Sequence, residues 1–91
     1  MKFSLEIGQV EKHRLDYSFN QLLGSLQIKV DDRSVLSFVR PINEPVLEVF
    51  DFQVGHLECA AVRIEKQRKP LFGHCNRLYV DNRLTKVYEG I

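Results

Sequence analysis

Phe50-Asp51-Phe52-Gln53-Val54-Gly55 restates Phe3-Ser4-Leu5-Glu6-Ile7-Gly8. Both stretches alternate apolar and polar side chains, the period of a half-buried β-strand, and both end in a glycine that permits a turn at positive φ. Reading outward, Phe3, Leu5, Ile7, Gly8, Glu11, Leu15 and Tyr17 fall on Phe50, Phe52, Val54, Gly55, Glu58, Val62 and Ile64 at one constant offset. Ile28, Val30, Asp31, Asp32 and Arg33 then fall on Leu78, Val80, Asp81, Asn82 and Arg83 at an offset three residues larger. The chain is one module written twice, with a longer loop in the second copy.

Within the first copy, His13 to Phe19 alternates again, and Leu26, Ile28 and Val30 form a third apolar row. Asp31-Asp32 tolerates the left-handed turn conformation before Val35 to Val39 runs back. The second copy repeats this with Val46 to Val54, Leu57 to Glu65, Arg77 to Val80 and Leu84 to Tyr88. Leu57 to Lys66 also fits a helix through its alanine pair and the spacing of Leu57, Ala61 and Ile64. Its counterpart, carrying Leu15, Tyr17 and Phe19 in strict alternation, argues for a strand.

The fold class expected is therefore all-β: about eight antiparallel strands in a sandwich or flattened barrel built from two internal repeats. The repeats span approximately 2–39 and 46–90 of a single domain over 1–91, joined by 40–45, where Pro41 and Pro45 mark a linker. Phe3, Leu5, Ile7, Leu15, Tyr17, Ile28, Val30, Phe50, Phe52, Val54, Val62, Ile64, Leu78 and Val80 form the expected core. Neither half can bury its apolar face alone, and pairing the two copies removes that surface from water.

At 91 residues, 44% hydrophobic and 27% charged, the composition is that of a small soluble domain. A net charge of +1 excludes a chain-wide field for nucleic acid or anionic membrane, although Arg63 to Lys86 is locally basic. The opening residues alternate in polarity and read as neither signal peptide nor membrane anchor. Cys59 and Cys75 are then expected as reduced thiols in a cytoplasmic protein.

Phe50 to Gly55, Val62-Arg63-Ile64-Glu65 and Leu78-Tyr79-Val80-Asp81 together resemble the all-β domains of the Fas apoptotic inhibitory molecule family and similar uncharacterised bacterial proteins. The resemblance covers most of the chain, although Asp32 and Asn82 stand where family members often have glycine, and tryptophan is absent. It implies an antiparallel sandwich without a catalytic centre, used for protein interaction, and transfers no functional residue.

His56, Cys59, His74 and Cys75 are metal-capable, but a tetrahedral zinc site needs four converging donors. Adjacent residues of a strand point to opposite faces, which separates His74 from Cys75, so neither a metal nor a disulfide is expected. Glu11 and Glu58 could form a general acid–base pair only if the fold brought them together; turns where acids are commonly exposed explain them better. Asp31 and Asp81 read as turn residues bonding the following amides, and Arg33 and Arg83 as solvated flanks. Recognisable nucleophile or nucleotide motifs are missing, so no enzyme activity and no cofactor are expected.

What the repeat leaves unexplained is the longer loop, 66–74, with Arg68, Lys69, Phe72 and His74 as candidate binding residues. Basic groups beside an aromatic suit an acidic protein surface, or single-stranded nucleic acid through phosphate contacts and stacking. The leading expectation is a non-catalytic protein-interaction module. Its alternatives are a small nucleic-acid binder using loop 66–74 and a β-sandwich holding a small ligand between its sheets. A monomer or an edge-paired homodimer fits the strand pattern equally.

Overall fold

A computed structural model describes residues 1–20, 22–40, 45–70 and 73–90. Eight strands follow in order: β1 Lys2–Ile7, β2 His13–Asn20, β3 Ser25–Val30, β4 Arg33–Val39, β5 Leu47–Val54, β6 Ala60–Arg68, β7 His74–Val80 and β8 Arg83–Gly90. They form two four-stranded antiparallel meanders, β1-β2-β3-β4 and β5-β6-β7-β8. The sheets pack face to face as a sandwich and do not close into a barrel.

Each strand carries the alternation read from its sequence. Leu15, Tyr17 and Phe19 are buried along β2, while Arg14, Asp16 and Ser18 face outward, and Val62, Ile64 and Lys66 repeat the pattern on β6. Asp31 and Asp32, and Asp81 and Asn82, take φ values of 51° and 65° in both copies, the geometry of a tight two-residue hairpin. Bulges fall at equivalent places, Ile28/Lys29 and Leu78/Tyr79. The duplication therefore extends to backbone detail.

Phe3 of β1 stacks on Tyr88 of β8 with ring centroids 3.8 Å apart, and Phe38 of β4 meets Phe50 of β5 at 6.1 Å. These contacts order one sheet over the other, β1 facing β8 and β4 facing β5. They also define an internal twofold that runs along the strands. The hairpins and the Gly8 and Gly55 turns gather at one end of the sandwich. Asn20, Gly24, Arg40, Val46, Arg68 and Gly73 gather at the other, since His13 pairs with Ile7 whereas Asn20 pairs with Ser25.

Several expectations shift. The strand expected from Leu57 starts at Ala60, because residues 56 to 58 form a turn whose amides are committed to another partner. β7 starts at His74 and not at Arg77. Leu5, Val30, Phe52 and Val80 lie against the core but only partly buried, whereas Phe19, Leu26, Ala60, Lys66, His74 and Asn76 are buried within it. Most of linker 40–45 lies outside the described residues. Among the described residues no helix is long and apolar enough to cross a membrane.

Candidate functional site

At the turn end, the two glutamates of the repeat do meet, as reciprocal caps. The Glu11 carboxylate accepts the amides of His56, Leu57 and Glu58 at 2.7, 2.7 and 3.3 Å. Glu58 in turn accepts those of Gln9, Val10 and Glu11 at 2.7, 3.1 and 3.3 Å. Each turn thus closes on the carboxylate of the other copy. Gly8 and Gly55 make this possible at φ 102°, since a Cβ on either would stand 2.1 Å from the carbonyl oxygen of Glu11 or Glu58.

Chemically, this arrangement is poor in acid–base capacity. Bonds from His13 and then from the His56 and Leu57 amides pull the pKa of Glu11 down to about 2, and the Gln9 amide leads in lowering that of Glu58. An acid–base pair needs two groups whose pKa values are driven apart, and here both are driven the same way. The pair locks the two copies together.

The imidazole of His13 completes the first copy's turn end. Its Nδ1 donates to Oδ2 of Asp31 and its Nε2 to Oε2 of Glu11, the latter at 2.5 Å. Asp31 and then Glu11 raise the His13 pKa by bonding its charged form. The expectation that Asp31 and Asp81 bond the amides that follow them needs correcting. Their Oδ1 atoms accept the amides of Arg14 and Ala61 on the neighbouring strand, each at 2.9 Å, and so extend the β2–β3 and β6–β7 ladders.

At the opposite end, the loop candidates are dispersed. His74 is 0% exposed and packs edge-on against Phe19, centroids 4.8 Å apart, so its side chain is closed to a surface partner. Phe72 lies outside the described residues. Arg68 is exposed at the end of β6, and Lys69 reaches Glu89 at 3.4 Å. Lys66, counted with the basic loop, is 1% exposed: its Nζ lies 3.9 Å from the Phe19 ring centroid and 3.5 Å from Glu48. Of the basic cluster, Arg68 is exposed and Lys69 is half-buried.

Lys66, His74 and Asn76 occupy the positions where the first copy has Phe19, Gly24 and Leu26. Asn76 Oδ1 accepts the Tyr17 hydroxyl at 2.9 Å across the interface. Composition and loop reading missed this polar trio. A position-by-position subtraction of one copy from the other exposes it, and exposes the exchange of His13 for Ala60 as well.

Cys59 and Cys75 are free thiols at opposite ends of the second sheet. No group of three or more His, Cys, Asp or Glu side chains converges on a metal position among the described residues. On the outer face of β1-β2-β3 a shallow groove of about 600 Å³ runs between Lys2, Ser4, Asp16, Ser18 and Lys29. Arg14 on its wall is held by Asp16 at 3.0 Å and Asp32 at 2.6 Å, which neutralises much of its positive charge. A second shallow cavity, about 300 Å³, lies over Asp51, Arg63 and Asn82 on the other sheet.

No family model, curated protein or solved structure matches the chain.

A further surface feature is apolar. β4 and β5 each pair on one side only, and they lie side by side on one flank of the sandwich. On them Val39, Val46, Leu47 and Val49 are between 45 and 69% exposed. Lysine and proline, the usual guards of a free edge, do not occur within either strand.

Proposed function

We propose that the protein is a non-catalytic interaction module that takes up an extended segment of a partner protein along the β4–β5 flank. The observation that carries this reading is the pair of adjacent unpaired edges bearing Val39, Val46, Leu47 and Val49 in solvent. A strand added to such an edge gains main-chain hydrogen bonds, and alternate side chains find apolar neighbours. Arg68 adjoins the same flank, its amide bonded to the Val46 carbonyl at 2.7 Å, and offers a cation to an acidic residue of that partner.

The resemblance to the Fas apoptotic inhibitory molecule family points the same way, as does the commitment of Glu11 and Glu58 to turn amides. A cytoplasmic setting suits the free thiols. The test is affinity capture with the wild type, with Leu47→Lys plus Val49→Lys, and with Leu84→Lys on the other exposed flank. A partner retained by the wild type and Leu84→Lys but lost by the β5 variant supports the reading. An identical set of partners from all three overturns it.

A further inference from the structure

The turn ends of the two copies share the capping glutamate and the hairpin aspartate, but Cys59, Ala60 and Ala61 stand where the first copy has Lys12, His13 and Arg14. His13 pairs with Ile7 in β1–β2 as Ala60 pairs with Val54 in β5–β6, so the two residues hold the same register. In the first copy the imidazole sits between Asp31 and Glu11, one ring nitrogen on each carboxylate. In the second copy both carboxylates are present and the ring is not.

The atoms that would grip a ring are free. Asp81 holds the Ala61 amide with Oδ1, as Asp31 holds that of Arg14, which leaves Oδ2, the atom whose counterpart on Asp31 binds His13. Glu58 receives all three of its amides on Oε1, which leaves Oε2. Neither remaining oxygen has a hydrogen-bond partner among the described residues. A cavity of about 330 Å³ opens there, bounded by Gly8, Glu58, Ala60, Asp81 and Thr85. Glu6 adds a third carboxylate to its wall, paired with Lys12 at 3.9 Å.

We propose that this cavity binds an imidazolium group, presented by a small imidazole-bearing molecule, between Glu58 and Asp81. The first copy is the molecule's own demonstration of the site with its ligand covalently attached. The equivalents of the two oxygens that hold His13 match a flat cation with two N–H donors, and charge-assisted bonds of this kind are the strong ones. A divalent metal is disfavoured, because no group of three or more His, Cys, Asp or Glu side chains among the described residues is placed to hold one, Glu6 on the wall included. The cavity leaves room for a substituent on the ring.

The test is titration of imidazole into the isotopically labelled protein at pH 6, where the free base is largely protonated, followed by amide chemical shifts. Saturable shifts are expected at Ala60, Ala61 and Asp81, with a dissociation constant on the order of millimolar. Ala60→His supplies the ring internally and should abolish them. His13→Ala opens the equivalent site and should add saturable shifts at Arg14 and Asp31. Asp81→Asn keeps an acceptor for the Ala61 amide but loses the charge, and should weaken binding about tenfold or more. Methylguanidinium in place of imidazole distinguishes ring recognition from general cation attraction, and equal affinity for the two overturns the imidazolium assignment. Absence of saturation in the wild type, or shifts that survive undiminished in Asp81→Asn, overturns the site, so the result does not depend on Ala60→His folding.

Discussion

Replacing Tyr17 by phenylalanine removes one oxygen from the centre of the sandwich. Tyr17 and Asn76 are each 1% exposed, and the hydroxyl donates to Asn76 Oδ1 at 2.9 Å across the two sheets. Without it, a buried amide oxygen loses a donor that water cannot replace. Stranding such a group costs about 2 kcal/mol, within the usual span of about 1–3. For a chain of 91 residues, an unfolding entropy of about 2.1 cal/mol/K per residue converts that into a Tm lowered by about 10 °C. Asn76→Leu, which copies Leu26 of the first repeat, should cost a comparable amount because it leaves the tyrosine hydroxyl without this acceptor. The double variant buries neither group and should recover most of the loss. Urea denaturation of all four proteins gives the cycle, with a coupling energy of about 3 kcal/mol expected. Single variants within about 0.5 kcal/mol of the wild type, with additive effects, would refute the claim that this bond joins the copies.

Stability should depend on pH at both flanks of a plateau. His13 has a raised folded pKa, so its contribution is complete below the ordinary value of 6.5 and is lost as pH climbs through the folded value; His13→Gln should abolish that alkaline loss. Glu11 has a lowered pKa, so its contribution holds above 4.5 and disappears as pH falls toward about 2, which denaturant midpoints from pH 2 to 9 will show. A midpoint flat across the whole range would dismiss both assignments. Gly8→Ala and Gly55→Ala should each destabilise by about 1–3 kcal/mol or more, since the added Cβ meets a backbone carbonyl at φ 102°, and a neutral outcome at either position would contradict the turn geometry. Self-association should also be concentration-dependent if the β5 edge pairs with a second copy; sedimentation showing a monomer throughout would leave the edge to a different partner.

The fold was legible because its signals are local and appear twice. Alternation placed the strands, and the Val-Asp pairs placed the hairpins at the residues that take positive φ. Comparison with β2 settled the ambiguous stretch now seen as β6. The start of that strand was not legible, since nothing local reveals that the His56, Leu57 and Glu58 amides turn toward a carboxylate 45 to 47 residues away. The burial of Lys66 and His74 escaped for the same reason: a lysine and a histidine flanking a basic loop look solvated until Phe19 and Glu48 come in from distant segments. The repeat aligned Glu11 with Glu58 without bringing them together, and only the twofold itself shows that each caps the other.

The departures from symmetry follow a rule of their own. The twofold pairs Tyr17 with Asn76 on one side and Ile64 with Leu26 on the other. Two first copies taken from different molecules would set the Tyr17 hydroxyl against Leu26. Two second copies would set Asn76 against Ile64, and Lys66 against His74 with no Phe19 ring beneath the ammonium. Each like-with-like arrangement buries polar groups without the partners they have in the native pairing, whereas the native arrangement satisfies Asn76 with Tyr17 and sets Lys66 against Phe19. Stranding a buried polar group costs more than a satisfied bond gains. A duplicated sandwich whose copies were still alike could exchange halves between molecules. Polar groups that differ between the copies make the pairing of a first copy with a second the preferred one.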